Sequence, residues 1–327
     1  MHPAPALLSV PPGTVHPMTT FDQITWFNLT VDGPFDLTAS ARFLEGFAPA
    51  ARAGAAASPG ELRLAFPVAP TWRPVGALVR QPVPGGPVRV AVRADQPEVE
   101  AALAAVRRVL SIDVPGAAFP DVGARDPVVA DLQRRYPGLR PVAFYSPYEA
   151  ACYAILSHRV RMAQAAAIKH QLAVRLGDSV DVHGQTLPTF PAPSVLLAQP
   201  HIPMVSEVKS NRLKAVAKAA AEGRLDADDL RSLPVREALA RLQELPGIGP
   251  FSAELILLRG AAHPDAFPEA ETRLHEEMRR AYHAATKQDL LDIAEAWSPY
   301  RTWVALLMRV NREEETQEIA TGIRATR

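Results

Sequence analysis

The stretch that decides the fold is Leu245-Pro246-Gly247-Ile248-Gly249, which stands between two segments of helical pattern. Apolar residues recur at helical spacing over 235–245, and residues 251–259 are helical in composition. The glycines allow a tight turn and a close approach to a ligand because they carry no Cβ. The stretch predicts a helix-hairpin-helix whose free N–H groups, with Gly247, Ile248 and Gly249 at the tip, bind a nucleic-acid phosphate. A simple proline-glycine turn between two buried helices is the alternative.

Length and composition limit the class of protein. The 327 residues, 48% of them hydrophobic, can bury a large core and suggest two or three domains. The 35 basic and 35 acidic residues give a net charge of zero, so any contact with DNA must come from a local basic face. The single cysteine, Cys152, excludes disulfides and cysteine-ligated metal sites and favours a reducing, cytoplasmic compartment. Residues 1–18 show neither a secretion signal nor a membrane anchor, so 1–20 is interpreted as a flexible lead-in.

A small sheet is predicted near the N-terminus. Apolar and polar residues alternate with period 2 over 27–31, 62–66 and 88–92, which is typical of half-buried antiparallel strands. A helix is expected over 39–47, and Asp95 is expected to cap another whose apolar stripe is Val99, Leu103, Val106 and Leu110. Residues 21–115 are therefore predicted to form an α+β domain.

Beyond Pro120 the pattern becomes helical. Ser146-Pro147-Tyr148-Glu149 has the form of a capping box that opens a helix, and a second helix is predicted from Val160 to a stop at Gly177. The proline-rich stretch 178–203 is predicted to be a loop. Further helices are expected near 209–222, 227–232, 234–244, 271–286 and 287–296, and after Trp297-Ser298-Pro299-Tyr300. The fold class is thus α+β, with a helical core over 116–311 and a charged tail over 312–327.

The hairpin and the downstream Asp265-Ala266-Phe267-Pro268 resemble the helix-hairpin-helix (HhH-GPD) DNA glycosylase superfamily. Within it the chain resembles the 3-methyladenine DNA glycosylase II family, over roughly 30–310. Pro34-Phe35-Asp36, the helix end 148–160 and Trp297-Ser298-Pro299-Tyr300-Arg301 extend the likeness. The resemblance implies a small twisted sheet domain, then two helical subdomains with a cleft between them. It also implies base excision repair, in which a damaged nucleotide is flipped out and its N-glycosidic bond is cleaved.

The position of the family's catalytic aspartate falls on Glu271. The resemblance implies that this carboxylate stabilises the positive charge that develops on the sugar. Because the glutamate arm is one methylene longer, activity depends on how the cleft accommodates it. The alternatives are that Glu271 only favours a helix dipole, or that Glu269 is the catalytic carboxylate.

The base pocket also departs from the family, which commonly has two large aromatics where this chain has Phe251 and Leu255. This difference favours a narrower range of alkylated purines. Because Phe251 stands where strand-cleaving members carry a Schiff-base lysine, the resemblance implies a monofunctional enzyme that uses water. At the helix end, His158 or Arg159 is expected to fill the gap left by the flipped base; the alternative is a solvated cation at a helix C-terminus.

Other residues carry weaker inferences. Lys209 and Arg212, with Lys214, lie where the family has basic residues, and we expect phosphate contacts or a solvated face. Asp265 is expected to order its loop. Arg301 is expected either to make a salt bridge or to touch the ligand, and His275 is expected to be structural or to face the cleft.

The sequence therefore predicts a monofunctional DNA glycosylase that acts as a monomer on double-stranded DNA with a damaged, alkylated base, without a membrane partner. The alternative is a catalytically impaired protein of the same descent that binds bent or damaged DNA. A helical module for RNA or protein is a weaker alternative, because it leaves the strand domain unexplained. We expect no organic cofactor and no site for a catalytic metal; the resemblance implies a monovalent cation at the hairpin, which the sequence does not decide.

Overall fold

The protein is described by a computed structural model that covers residues 25–46 and 59–317. The predicted lead-in 1–20 lies outside the described residues, as does the tail beyond Gln317. Residues 312–316 of that tail continue the last helix.

A four-stranded antiparallel sheet forms the N-terminal domain, as the alternation pattern predicts. Its strands are β1 (Trp26–Leu29), β2 (Glu61–Val68), β3 (Arg73–Arg80) and β4 (Val88–Arg93), in the order β1-β4-β3-β2. Helices α1 (Leu37–Gly46) and α2 (Val99–Val109) share a hydrophobic core with this sheet.

Strand β3 was not predicted from the sequence. This strand contains a run of five buried residues, 75–79, and therefore shows no alternation. The cause is that the opposite face of the sheet is covered locally by a hairpin, β5 (Ser179–Val182) and β6 (Gln185–Pro188). The prediction that 178–203 is only a loop is therefore wrong. A strand buried on both faces loses the period-2 signal.

The predicted cap at Asp95 is also wrong. A short 3-10 turn, Gln96–Glu98, comes before α2, and the Asp95 side chain caps neither segment. Its carboxylate instead accepts a hydrogen bond from Arg73 Nη1 at 2.7 Å.

The rest of the described chain is mainly helical. The helices are α3 (Phe119–Arg125), α4 (Pro127–Arg135), α5 (Pro147–Ser157), α6 (Met162–Leu176), α7 (Pro193–Ala198), α8 (Glu207–Ala221), α9 (Ala227–Ser232), α10 (Val235–Gln243), α11 (Pro250–Leu255), α12 (Thr272–Tyr282), α13 (Lys287–Glu295) and α14 (Arg301–Thr316). A π-helical turn, Ile256–Gly260, continues α11. Ser146 caps α5 as predicted, but Glu149 pairs with Lys169 Nζ at 2.5 Å.

The helices bury two separate hydrophobic clusters. The first is formed by 144–266 and is centred on α5, which is buried at almost every position. The second combines 119–139 with 274–308, so α3 and α4 pack with α12–α14. The hairpin belongs to the first cluster and α12 begins the second, so the segment 267–271 connects the two.

A buried arginine holds the sheet domain against the second helical cluster. Arg140 is 1% exposed, and its guanidinium donates to the carbonyls of Pro34 at 2.9 Å, Ser111 at 3.0 Å, Val114 at 3.2 Å and Asp32. Burial lowers its pKa to about 10, so it remains charged at neutral pH. Four carbonyls of residues 32–114 therefore depend on one side chain of the segment that follows α4.

Replacing this arginine tests that dependence. We expect Arg140→Leu to lower the free energy of unfolding by about 3 kcal/mol, because several buried carbonyls lose their donor. The measurement is urea unfolding followed by circular dichroism. Arg134→Leu is the control, since Arg134 is exposed and only pairs with Asp131. Equal unfolding midpoints for the two variants would contradict the role assigned to Arg140.

Candidate nucleic-acid interface and active site

The predicted hairpin joins α10 to α11. Gly247 has a φ of +89°, a left-handed conformation that a side chain would strain, so glycine is required here. Ile248 is buried, and its N–H closes the turn on the Leu245 carbonyl at 3.0 Å. Gly249 is the N-cap residue of α11, and a Cβ placed on it would meet nothing within 4 Å. Within the described chain, the N–H groups of Gly247 and Gly249 have no hydrogen-bond acceptor, so the tip offers free donors.

A basic cluster lies against this hairpin. Arg212 of α8 packs on the turn, since a Cβ built on Gly247 would be 2.7 Å from its Cδ. His158, just after α5, is close enough to Arg212, Lys209 and Arg159 that their charges add to burial in lowering its pKa. In the described part of the chain, neither Arg159 nor Arg212 forms an ion pair. The fold thus gathers four residues from two distant segments beside the hairpin.

Two members of this cluster differ in what their side chains do. Arg159 is exposed and has a left-handed backbone, with a φ of +58°, so its side chain stands at the tip of the loop after α5. Lys209 is half-buried and its Nζ donates to the Leu156 carbonyl at 2.7 Å. Lys209 therefore caps the C-terminal end of α5, whereas Arg159 is free to contact a ligand. Lys214 likewise donates to a backbone carbonyl, that of Pro200, at 3.0 Å.

Glu271 is the N-cap residue of α12, but its side chain makes no capping hydrogen bond. The carboxylate is part-exposed, with 26% of the side chain accessible, and Arg309 Nε of α14 lies 3.8 Å from its Oε1. This separation is longer than a hydrogen bond. Arg309 was not among the predicted site residues, because it lies almost forty residues from Glu271 in the sequence. Glu269, the reserve carboxylate, instead forms an exposed ion pair with Lys287 at 2.8 Å.

A buried glutamate that the sequence analysis did not single out lies between the hairpin and this segment. Glu254 of α11 is 7% exposed, and both of its oxygens accept the Ala270 N–H, at 3.1 and 2.9 Å. Burial, reinforced by the charges of Glu269 and Glu271, raises its pKa to about 7, although the N–H groups of Ala270 and Glu269 act in the opposite direction. The only feature of the sequence that could have pointed to Glu254 was its charge within an otherwise apolar helix.

The two residues predicted for a base pocket lie on one helix. Phe251, in the first turn of α11, is a large apolar side chain that remains 51% exposed. Leu255 ends the same helix and is half-buried against the first hydrophobic cluster. Phe251 is therefore the more accessible of the two, and an exposed aromatic ring suits stacking on a base.

Asp265 orders its loop as expected. It accepts hydrogen bonds from the Arg301 guanidinium and backbone and from the Ser298 hydroxyl, all between 2.9 and 3.1 Å. Although burial acts to raise its pKa, these hydrogen bonds hold it below the ordinary value. Arg301 is thus committed to a salt bridge.

His275 is buried and its ring stacks on Phe267 with 5.7 Å between centroids. Burial lowers the pKa of this histidine, so it is neutral near pH 7. These contacts favour a structural role for His275 over one in the cleft.

A cavity of about 440 Å³ lies elsewhere, between the sheet domain and α9, where Trp72, Arg108 and Arg231 are among its lining residues. None of the predicted site residues lines it. Among the described residues, no group of three or more His, Cys, Asp or Glu side chains is placed to hold a metal ion. No helix in the described ranges has the length and hydropathy needed to cross a membrane.

The chain is similar in sequence to proteins named as DNA repair enzymes. No family model matches the chain. It is 25% identical over 198 residues to a DNA-3-methyladenine glycosylase of Bacillus subtilis, covering 58% of this chain and 65% of that protein. It is 28% identical over 227 residues to a probable bifunctional transcriptional activator/DNA repair enzyme AlkA of Mycobacterium tuberculosis, covering 67% of this chain and 45% of that protein. The chain thus spans less than two thirds of both curated relatives.

The fold has a solved counterpart. A 3-methyladenine DNA-glycosylase from Archaeoglobus fulgidus superposes with a TM-score of 0.72 at 18% identity, over 90% of this chain and 99% of that one. The likeness covers the sheet domain and the helical core together, so the predicted α+β fold class is confirmed.

Alanine substitutions at the two hairpin glycines are expected to differ in their effect on the free energy of unfolding. Gly247→Ala should lower the free energy of unfolding by about 1 kcal/mol, because of its positive φ, and should also displace Arg212. Gly249→Ala should leave stability unchanged, since its φ of −94° is ordinary and its Cβ would point into open space. Thermal unfolding of both variants is the measurement. A Gly249→Ala protein less stable than Gly247→Ala would contradict the turn geometry.

Proposed function

We propose that this chain, a helix-hairpin-helix glycosylase by fold and similar in sequence to 3-methyladenine DNA glycosylases, is a monofunctional DNA glycosylase of base excision repair. The predicted resemblance is confirmed by the comparisons. The proposed partner is double-stranded DNA that contains a damaged base, with alkylated purines as the favoured class. Monomeric state and cytoplasmic location stay predictions from the sequence.

One observation carries the proposal: Glu271 opens α12 with a part-exposed carboxylate, and its segment is hydrogen-bonded to the second helix of the hairpin. A phosphate seated on the hairpin would thus lie on the same framework as the carboxylate. This arrangement favours the enzyme over the catalytically impaired alternative. Arg309 weakens the carboxylate's field without removing a lone pair by hydrogen bonding, because it stays 3.8 Å away.

The proposed reaction is hydrolysis of the bond between C1′ of the sugar and the base nitrogen. The bonding electrons leave with the base, and positive charge develops on the sugar ring. An alkylated purine already carries a positive charge, so it departs as a neutral molecule. Glu271 stabilises the sugar cation electrostatically, and water adds to C1′ with loss of a proton. Phe251 has no amine for a covalent iminium, so no strand cleavage is expected.

We propose that the hairpin and the basic cluster bind the DNA backbone and the distorted base stack. The free N–H groups at Gly247 and Gly249 would receive one phosphate, with Arg212 behind them. Arg159, exposed at its loop tip, would fill the gap left by the flipped nucleotide. Phe251 would stack on the extruded base, while the aliphatic Leu255 limits the range of cationic purines that bind well.

A monovalent cation at the hairpin is part of this proposal. In the described chain the carbonyl oxygens of Gly247 and Ile248 accept no hydrogen bond, which fits an oxygen-ligated cation. Such an ion would supply positive charge toward a phosphate. Whether or not this ion is bound, the hairpin N–H groups, Arg212, Arg159 and Phe251 would bind and orient the DNA.

The catalytic assignment is tested by single-turnover release of bases from methylated duplex DNA. We expect the native protein to release methylated purines and Glu271→Gln to lose at least about a hundredfold in rate, because the amide cannot offset the sugar's charge. Glu269→Gln is the matched control, since this neighbouring carboxylate is neutralised by Lys287 at the surface. It should keep the native rate.

The outcomes separate the competing readings. Loss of release in Glu269→Gln but not in Glu271→Gln would move the catalytic role to Glu269. Tight duplex binding without release by the native protein would support the catalytically impaired alternative. Both assays use the same methylated duplex, so binding and release are compared directly.

The hairpin is tested by duplex affinity. We expect Gly249→Ala to weaken binding severalfold, because the new methyl group would project into the space where a phosphate approaches the N–H groups. Fluorescence anisotropy at two fixed salt concentrations is the measurement, since phosphate contacts depend on salt. Unchanged affinity, with the native unfolding midpoint, would count against phosphate binding at this turn.

A further inference from the structure

We propose that Glu254 is a positioning residue that fixes the segment carrying Glu271 relative to the DNA-binding hairpin. This inference rests on the proposed glycosylase function, in which Glu271 is the catalytic carboxylate. Glu254 itself is buried behind the site and does not touch the substrate in this assignment. Its role is to fix the position of Glu271 at the start of α12.

The contact that carries the proposal is a hydrogen bond between two parts of the core. Glu254 lies in α11, one turn after Gly249, and packs within the first hydrophobic cluster. Its two carboxyl oxygens lie 3.1 and 2.9 Å from the backbone nitrogen of Ala270, the residue before Glu271. The Glu269 N–H also points to this carboxyl group. One side chain thus ties the hairpin's second helix to the backbone of the catalytic segment.

The other backbone hydrogen bonds of this segment are local, and its side-chain ion pairs reach Lys287 and Arg309 rather than the hairpin. The Glu271 N–H bonds to the Pro268 carbonyl at 3.3 Å, and the Glu271 carbonyl accepts the first helical N–H, that of His275, at 3.2 Å. Both bonds stay within the segment or α12. The Glu254 bond therefore anchors this segment to the hairpin, and a shift of about 1 Å in a reacting group can cost about a hundredfold in rate.

The charges around Glu254 make this anchor sensitive to pH. Glu269 and Glu271 face it from the segment, and Lys287 faces it from α13. Burial is the main reason that its pKa is raised to about 7, so the side chain changes from a neutral acid to an anion near neutral pH. The anion is the stronger acceptor for the Ala270 N–H, and it adds negative charge behind Glu271. The first effect holds Glu271 more firmly in place and the second stabilises the sugar cation, so the rate should rise as pH increases through about 7.

The test compares Glu254→Gln, Glu254→Ala and the native protein in single-turnover release from methylated duplex DNA at pH 6 and pH 8. At pH 6 we expect Glu254→Gln to match the native rate within about twofold, because the native side chain is neutral there and the amide oxygen still accepts the Ala270 N–H. At pH 8 the native protein should be severalfold faster than Glu254→Gln. Glu254→Ala should be slower by about a hundredfold at both pH values.

Glu237→Gln is the matched control, since Glu237 is an exposed glutamate on the first helix of the hairpin. It should keep both the native rate and its pH dependence. Duplex affinity should stay within about twofold for all variants, because Glu254 acts on the chemical step rather than on binding. A merely structural role would lower the unfolding midpoint of Glu254→Gln without removing the pH dependence of the rate.

A second measurement does not depend on activity. The amide nitrogen and proton shifts of Ala270, followed by NMR, should titrate with a midpoint near pH 7 in the native protein and stay flat in Glu254→Gln. A flat native signal would overturn the proposal. So would an identical pH dependence of release in native protein and Glu254→Gln.

The two levels of proposal fail in different ways. If the native protein releases no methylated base at either pH, the proposed function fails, while the Ala270 titration still decides whether Glu254 anchors this segment. If the native protein releases bases and every Glu254 variant behaves like Glu237→Gln, the function stands and the positioning role is wrong.

Discussion

The left-handed backbone at Gly247 is the constraint on which the rest of the site depends. With φ at +89°, this residue reverses the chain between α10 and α11 within a few residues and leaves Ile248 buried beneath the tip. The absence of a Cβ also lets Arg212 lie directly against the turn. Because α11 starts from this turn, the positions of Phe251 and Glu254 follow from it as well. One backbone conformation thus sets the free N–H donors, the basic side chain that packs on them and the start of the helix that carries the exposed aromatic.

Charge is distributed unevenly although the chain is neutral overall. The basic residues beside the hairpin lack acidic partners in the described chain, and three of them lower the pKa of His158 together with burial. The acidic residues of the site, Glu254, Glu269 and Glu271, lie close to one another, and Glu254 and Glu269 lie close to Lys287. DNA backbone contacts and the stabilisation of a sugar cation require opposite charges, and the fold supplies them in two separate groups of residues.

Errors in the sequence predictions have local physical causes. β3 was missed because its neighbours bury both of its faces, and β5 and β6 were missed because short strands in a proline-rich stretch carry little periodicity. Lys209 was expected to reach a phosphate or to lie on a solvated face, yet it bonds to the end of α5 because that helix terminates beside it. A long cationic side chain has many possible partners, and only the neighbouring elements decide among them.

By itself, the sequence determined the turn of the hairpin, the helices around it and three of the four strands of the sheet domain. Those features depend on local propensities, glycine conformation and periodicity, which nearby residues decide. The tertiary structure alone decided that Arg309 pairs with Glu271, that Arg212 packs on Gly247 and that Glu254 holds the Ala270 backbone. Each of those contacts joins segments sixteen or more residues apart, and their side chains meet only because the packing of the helices into two clusters brings those segments together.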